Sequence, residues 1–412
     1  MVKSKNEVSD TQRLSQITFI TNFGDFLTQF SIVKIIYLLK FDALTAAFGG
    51  VGIGSLATVC SGFLSPLIKR KVNTKYLIIS SQVVSFFAVL VILISLLKMD
   101  IRSPWPFYVL LFVQTFFSKV FDAARETHTH GQTLKNESHQ SVQAKLLSGF
   151  YSAQFLGPLF AFFTLKYFDP TIPIIIDLLT FCVATFFSLK LNRGKDLKTS
   201  ISTFSAIAHL KNDRDLKILF LLRTFGFWIP ASFFNMFIYE YAISKFKVGV
   251  EYSGVLYSIL GFGALAGSLT LQNYRFVNIF RLSSKNHILA SFAQMGLAIT
   301  VLFLFSSDTI ILGVISYLVY GFFMGINAIS TQAMRRSFCK TNQLPAIIGL
   351  ETICSFSIQF LLTSLVFTVF KNALSAQNYS IFIVPFCYMF TALIYLNVFK
   401  FEKLDQLGGP TL

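Results

Sequence analysis

Charged residues are scarce in this chain, and no stretch of it is long and polar enough to form a soluble domain. Asp, Glu, Lys and Arg make up 13% of the residues, whereas hydrophobic residues make up 54% and the mean hydropathy is +0.64. A nucleic-acid site would concentrate basic residues and base-stacking aromatics in one soluble domain. The net charge of +16 is therefore interpreted mainly as the excess of Lys and Arg on the cytoplasmic side of a membrane protein, helped by contact with anionic lipid headgroups, and not as a nucleic-acid site.

Cysteine is also sparse, and the motifs of common enzymes are missing. The five Cys residues are scattered and form no C-x-x-C pair, which argues against a disulfide or metal framework. There is no Gly-x-Ser-x-Gly, no His-Glu-x-x-His and no nucleotide-binding Gly-rich loop. We therefore predict no enzyme, no cofactor and no ATP-driven step. His128, His130 and His139 fall in a predicted loop with no carboxylate at fixed helical spacing, so they do not predict a metal site.

Twelve apolar stretches fill the sequence, each about 20 residues long and so long enough to cross a bilayer as a helix. They are apolar on all sides, whereas a soluble helix would show a polar face. The pattern predicts an all-α polytopic membrane protein. The predicted spans are 15–39, 44–66, 76–97, 104–124, 146–166, 172–191, 218–241, 252–271, 286–306, 309–333, 346–370 and 379–399.

The connectors between the spans alternate between basic and nearly neutral. Short loops rich in Lys and Arg mark the cytoplasmic side of a membrane. The basic connectors follow the even-numbered spans and include the run 69–71, the long connector 190–217 and the pair Arg335-Arg336. Abundant Phe, Lys and Asn suggest a bacterial source. We therefore predict a bacterial inner-membrane protein with both termini in the cytoplasm.

The connector 190–217 is the longest polar break and divides the spans six and six. Small residues cluster in the second span of each half, at Gly50–Ser55 and Gly261–Ser268, which indicates an internal duplication. We predict two pseudo-symmetric six-helix bundles, over 1–191 and 218–412. The linker 192–217 has apolar residues at helical spacing, which predicts an amphipathic helix on the inner leaflet. These residues are Ile201, Phe204, Ile207 and Leu210.

Short motifs stand at regular places in the first half: Asn22–Asp25 in span 1, Ala123–Arg125 at the end of span 4, Gly157-Pro158 in span 5 and Ile176–Phe181 in span 6. In order and spacing they resemble the exporters of macrolide-efflux and enterobactin-exporter type, a branch of the major facilitator superfamily. The resemblance implies two halves that rock about a central substrate site, with drugs or siderophores as substrates. A looser resemblance reaches a lysophospholipid flippase.

Three carboxylates inside predicted spans are candidates for proton coupling: Asp25, Glu240 and Glu351. A charge at the bilayer centre costs about 2.5–3.5 kcal/mol on insertion scales, so such residues are functional candidates by default. Asp25 lies near mid-depth, and Asn22 and Gln29 share its helix face at i−3 and i+4. We predict that Asp25 takes and releases the transported proton. The alternative is a structural polar cluster that seals span 1 against span 5.

Charged residues at the cytoplasmic end of span 4 are candidates for a gate. Lys119, Asp122 and Arg125 are spaced to form ion pairs that stabilise one state of the gate. An ordinary interfacial set of salt bridges is the equal alternative. Arg70, in the basic connector after span 2, stands where the resembling family has an aspartate, and it is the fourth candidate.

Uncharged polar residues at mid-depth are candidates for substrate contact. The structural alternative for each is an interhelical hydrogen bond worth about 0.6 kcal/mol. The resemblance implies that spans 4, 5, 7, 10 and 11 line the cavity. The candidates on these spans are Gln114, Gln154, Asn235, Asn327 and Gln359, and Asn22 and Gln29 join them from span 1. The 49 Phe residues suggest an apolar, aromatic cavity.

Together these features predict a monomeric secondary transporter that exports a bulky, partly apolar small molecule in exchange for protons. A lysophospholipid flippase or a facilitator of the same fold is the nearest alternative. An intramembrane enzyme is a remote one, because the sequence shows no clustered nucleophile or acid/base set.

Overall fold

The computed structural model describes most of the chain and is helical throughout the described part. Thirteen α-helices and one π-helical segment lie in this part. The described residues are 10–38, 52–69, 73–98, 105–132, 139–193, 203–228, 230–231, 252–272, 286–306, 309–339, 343–369 and 373–398.

Six helices form the N-terminal half. They are α1 (Asp10–Leu38), α2 (Gly54–Lys69), α3 (Thr74–Lys98), α4 (Trp105–Gln132), α5 (His139–Tyr167) and α6 (Thr171–Leu189). The linker helix α7 follows over Thr203–Asn212.

The C-terminal half begins with α8, which continues directly into the π-helical segment. Its elements are α8 (Arg214–Leu221), the π segment (Leu222–Trp228), α9 (Tyr252–Gln272), α10 (Asn286–Ser306), α11 (Ile310–Phe338), α12 (Leu344–Val369) and α13 (Ala373–Val398). Most of predicted span 7 beyond the π segment lies outside the described residues.

The outer faces of the helices are suited to lipid. Eight helices in the described part are long and apolar enough to cross a membrane. Large apolar side chains such as Phe87, Leu97, Val109, Ile311 and Phe386 point outward and are exposed, a distribution that marks a membrane-facing surface. The predicted all-α polytopic architecture is therefore confirmed.

Several helices continue well beyond their apolar stretches, at one end of the bundle. Helix α4 was predicted to end at 124 and ends at Gln132, and α11 was predicted to end at 333 and ends at Phe338. The placement of His128, His130 and His139 in a loop is therefore wrong, because the first two lie in α4 and His139 begins α5. His128 is buried, with Nδ1 3.0 Å from Thr74 Oγ1 and Nε2 3.4 Å from Asp10 Oδ2. The polar ends stay helical because they pack against each other and not against water.

The two halves meet mainly along two helix pairs, α5 with α9 and α2 with α12. Glycines allow this close approach. A Cβ on Gly254 would lie 2.8 Å from the Pro158 carbonyl oxygen, and one on Gly62 would lie 2.9 Å from the Gly349 carbonyl oxygen. The Tyr257 ring in α9 also packs on aromatic rings of α1. These contacts enclose a space between the halves.

Helix α7 packs on the C-terminal half. Ala206 and Leu210 are buried in one apolar cluster with Leu344 and Ile347 from the start of α12, whereas Ile207 is exposed. Part of the predicted amphipathic face thus covers protein.

Candidate functional site

A cavity of about 280 Å³ lies between the two halves. Helices α2, α4 and α5 line it from one side, and the π segment, α9, α11 and α12 line it from the other. Its wall is rich in aromatic and ionisable side chains. The aromatic ones are Phe150, Tyr151, Phe227, Trp228, Tyr257 and Phe356, and the ionisable ones are Lys119, Asp122, Arg125, Glu126, Arg223, Arg335 and Glu351.

Asp25 lies behind the α4 wall of this cavity. It is partly buried and accepts hydrogen bonds from Gln114 Nε2 at 2.9 Å and Ser118 Oγ at 2.9 Å. The next residue along α4, Lys119, lines the cavity and acts electrostatically on Asp25. The predicted coupling carboxylate is therefore hydrogen-bonded to Ser118, the residue that precedes the cavity residue Lys119 on α4.

The three predicted gate residues on α4 form one ion-paired row, the α4 charge triad. Lys119 Nζ is 3.1 Å from Asp122 Oδ2, and Arg125 Nη2 is 3.3 Å from Asp122 Oδ1. Arg125 Nη1 also donates to Thr18 Oγ1 at 2.9 Å, which ties the triad to α1.

A second set of charges, the interhalf ion network, joins the N-terminal and C-terminal halves. It consists of Glu126 on α4, Arg223 in the π segment, Arg335 on α11 and Glu351 on α12, and all four are buried. Arg335 lies 3.0 Å from Glu126 and 2.8 Å from Glu351, while Arg223 lies 2.6 Å from Glu351. Trp228 Nε1 also donates to Glu351, at 3.4 Å. The pair Glu126–Arg335 is the ion pair of this network that joins α4 to α11.

Arg336 adds a third buried guanidinium at the same place. It donates to Thr129 Oγ1 at 3.1 Å and lies 3.5 Å from the Glu126 carbonyl oxygen. With the Gln143 amide turned to satisfy its neighbours, its oxygen accepts from Arg336 and its nitrogen donates to Gln332 at 2.7 Å. Two adjacent arginines of α11 thus hold α4 and α5 of the other half.

The predicted substrate-contact residues are distributed over different environments. Gln154 lines the cavity, and its Oε1 has no hydrogen-bond partner in the described structure. Gln114 instead binds Asp25. Asn327 accepts a hydrogen bond from Gln294 at 3.1 Å, and Gln359 is buried; neither belongs to the cavity lining.

The two candidates on α1, Asn22 and Gln29, are not part of the cavity lining in the described part of the chain. Asn22 donates to the Thr18 carbonyl oxygen of its own helix at 2.8 Å, and Gln29 is partly buried on α1. Three more lie outside the described residues: Arg70, Asn235 and Glu240.

Sequence reasoning missed the roles of Asp177, Glu126 and the two arginines of α11. Asp177 was noted only as part of a motif, yet it is fully buried beside α1. Glu126, Arg335 and Arg336 fell in predicted connectors because the spans were ended at the last apolar residue. Their signal in the sequence was weak: charges that directly continue an apolar helix.

Gly24 allows α1 and α6 to approach, and we expect Gly24→Ala to destabilise the protein. An added methyl group would overlap the Asp177 carboxylate and the Thr180 hydroxyl, and overpacking of this kind costs about 1–3 kcal/mol. Thermal unfolding of the purified protein measures the loss. Gly54→Ala is the matched control, because the nearest atom there, on Thr115, is 4.0 Å from the new Cβ. Equal melting temperatures for the two variants would contradict the contact.

Comparisons with known proteins agree with this architecture. Residues 14–363 match the family model described as Major Facilitator Superfamily. Among solved structures, the chain is similar to the human organic anion transporter MFSD10 (TETRAN), with a TM-score of 0.71 and 12% identity over 94% of this chain and 100% of that one. It is also similar to the nucleoside transporter NupG, with a TM-score of 0.63 and 15% identity over 95% and 100% of the two chains.

A third similar structure is a bacterial homologue of the iron transporter ferroportin in an outward-facing state, with a TM-score of 0.66 and 12% identity over 94% of this chain and 99% of that one. Identities this low show the fold alone. A comparison with curated proteins gave no match. The macrolide-efflux and enterobactin-exporter branch stays a prediction. Because the family model spans most of the sequence, this chain belongs to the Major Facilitator Superfamily.

Proposed function

We propose that this chain is a secondary active transporter that exports a bulky, partly apolar small molecule in exchange for protons. The cavity between the two halves is the observation that carries the proposal. Its aromatic wall suits an apolar ligand, and its ionised groups can orient a polar end of that ligand. Its volume of about 280 Å³ is close to the lower end of small-molecule pockets, about 300 Å³, and rocking of the halves would widen it.

Asp25 supplies the coupling in this proposal. Its carboxylate is bonded to Ser118, the neighbour of the cavity residue Lys119, so a proton on Asp25 changes the charge that the cavity presents. A charge that crosses 100 mV gains about 2.3 kcal/mol. One exchanged proton per 100 mV would therefore sustain a gradient of roughly 50-fold for a neutral substrate.

The gate in this proposal is the interhalf ion network together with the α4 charge triad. The network holds α4 against α11 and α12 at one end of the cavity, and opening this end must separate Glu126 from Arg335. The triad lies on the same helix. Because Lys119 is bonded to Asp122 and also acts electrostatically on Asp25, a change in the charge or position of Asp122 alters the field at Asp25. Substrate entry and proton movement would thus act on one helix, α4.

Gln154 offers a direct test of the cavity. Gln154 lines the cavity and its buried Oε1 has no partner in the described structure, so a substrate donor can use it once rocking of the halves widens the cavity. A lost hydrogen bond is worth about 0.5–1.5 kcal/mol, so Gln154→Ala should raise the KM of transport roughly 3- to 10-fold with little change in melting temperature. Counterflow in proteoliposomes measures KM for a macrolide, a catecholate siderophore and a lysophospholipid.

The matched control is Gln294→Ala, a buried glutamine whose partner is Asn327 and which does not line the cavity. We expect this variant to keep the wild-type KM. If both variants, or neither, changed KM for a transported compound, the cavity would not be the substrate site.

We also propose that the chain lies in a bacterial inner membrane with both termini in the cytoplasm, as the basic connectors indicate. A reporter that works only in the cytoplasm should be active when fused at residue 1 or at residue 412. A reporter that works only in the periplasm should be inactive at both positions. A periplasmic signal at the C-terminus would contradict an even number of spans.

A further inference from the structure

Two aspartates of the N-terminal half lie at one point between α1, α4 and α6. Gln114 Nε2 donates to Asp25 Oδ1 at 2.9 Å and lies 3.4 Å from Asp177 Oδ2, so one amide group bridges the two carboxylates. The bridge exists because residue 24 is a glycine, which leaves room for the Asp177 side chain against α1. Asp25 and Asp177, the aspartate pair, therefore act on each other electrostatically.

The aspartate pair has no counter-cation of its own among the described residues. Within this part of the chain, two other charged groups act on Asp25, namely Lys119 and Asp122. One charged group acts on Asp177, and that group is Asp25. Lys119 is already bonded to Asp122, which also binds Arg125. The described faces of α5 and α6 that pack here bring no further charge to the pair. A fully buried Asp177 next to a partly buried Asp25, with the nearest cation, Lys119, already bonded to Asp122, makes ionisation of both carboxyl groups costly.

The hydrogen bonds around the pair leave one acceptor without a donor. Ser118 donates to Asp25 at 2.9 Å, and Thr28 and Thr180 donate to Asp177 at 2.5 and 3.1 Å. Gln114 is 4% exposed, and its Oε1 has no partner in the described structure. A buried polar atom without a partner needs an explanation. If the Gln114 amide turns so that Oε1 takes the place of Nε2 between the two carboxyl groups, a proton on either of them supplies an O–H that this oxygen can accept.

We propose that Asp25 and Asp177 share a single proton through Gln114, which makes Asp177 the second half of the coupling site. The pair then alternates between a state of charge −2 without the proton and a state of charge −1 with it. This inference rests on the proposed function for its role in transport, but the shared proton itself is a property of the resting protein. It also gives Gln114 a positioning role, because its amide can turn either a donor or an acceptor toward the pair.

Infrared spectra of the purified full-length protein in nanodiscs test the shared proton without substrate or gradient. A protonated carboxyl group has a carbonyl stretching band that ionised carboxylates lack and that shifts in D₂O. Wild type should show this band at neutral pH. Asp177→Asn should lose it, because the remaining Asp25 is only partly buried and keeps its donors Gln114 and Ser118. Asp25→Asn should shift it, because Asp177 stays fully buried but no longer faces a second negative charge.

Asp169→Asn is the matched control. Asp169 is exposed between α5 and α6, and hydrogen bonds from the Thr171 side chain and backbone lower its pKa below the ordinary value. It is therefore ionised at neutral pH, and its replacement should leave the band unchanged. Gln114→Leu keeps both carboxylates and should shift the band, because the O–H loses its acceptor. This variant also serves if an aspartate variant fails to fold.

Three results would overturn the shared proton: no band in wild type, a band that either single aspartate variant leaves unchanged, or a band that Gln114→Leu leaves in place. The last two would locate the proton on one residue or away from the bridge. The proposed function fails in a different way, by an absence of proton movement during transport while the band behaves as expected.

Discussion

Asp25→Asn should abolish transport that is driven by a pH gradient while leaving substrate exchange intact. Asparagine has nearly the same shape, and its Oδ1 can accept from Gln114 while its Nδ2 donates to the Ser118 hydroxyl oxygen, the two partners of Asp25, but it cannot bind and release a proton. The substrate gradient should therefore fall from roughly 50-fold per 100 mV to none. Uptake into proteoliposomes, with and without a pH gradient, measures both activities on one preparation.

The split between the two activities identifies the role of Asp25. A structural defect would lower exchange as much as driven transport, whereas a coupling defect lowers driven transport alone and removes the pH dependence of exchange. Asp169→Asn is again the control, since that residue is exposed and remote from the aspartate pair, and it should behave as wild type. Undiminished driven transport in Asp25→Asn would remove this residue from coupling.

Glu351→Gln should destabilise the protein more strongly than Gly24→Ala or a substitution in the α4 charge triad. Glu351 faces Arg223 at 2.6 Å and Arg335 at 2.8 Å, and all three side chains are buried. Removal of one partner from a buried ion pair leaves an uncompensated charge and costs about 3–5 kcal/mol. Thermal unfolding in detergent should show a large fall in melting temperature, with a matching fall in the yield of folded protein.

Two further variants test whether the loss of stability comes from the buried ion network. Lys119→Gln removes a cation of the α4 charge triad whose side chain is 33% exposed, next to an Asp122 side chain that is 24% exposed and keeps Arg125 as a partner. A partly solvated pair of this kind is worth about 0–1 kcal/mol, so its melting temperature should change little. The double variant Glu351→Gln/Arg223→Gln removes opposite charges together, leaves the pair Glu126–Arg335 in place and should regain part of the loss. Equal effects of Glu351→Gln and Lys119→Gln would contradict the interhalf ion network.

The helices could be predicted from the sequence because their signal is local. Twenty or so apolar residues in a row leave the backbone no stable choice in lipid except a helix, and α1, found at Asp10–Leu38 against the predicted 15–39, shows how closely this rule works. The rule failed at helix ends. Glu126 and Arg335 are charged, so hydropathy ends the spans before them, whereas charge pairing between the halves keeps them helical and buried.

The candidate site could be predicted only in part, since its pairs are distant along the chain. Asp25 stands out because a lone carboxylate in an apolar stretch is costly wherever its partners are. Asp177 has the same cost, but its significance depends on Gln114 and Gly24, residues that reach it only in the folded protein. The contact of Glu126 with Arg335 joins positions 209 apart in sequence. No local pattern in a single sequence carries that information.

The most direct test of the account is simultaneous measurement of substrate and proton movement in inside-out vesicles that hold the wild-type protein. The vesicles carry an imposed pH gradient, acidic inside, and are offered a macrolide, a catecholate siderophore or a lysophospholipid. We expect one of these compounds to enter while protons leave the lumen, and we expect both fluxes to stop together when the gradient is collapsed. Uptake that proceeds at the same rate without the gradient and without proton release would contradict it, and would indicate a facilitator or a lipid flippase of the same fold.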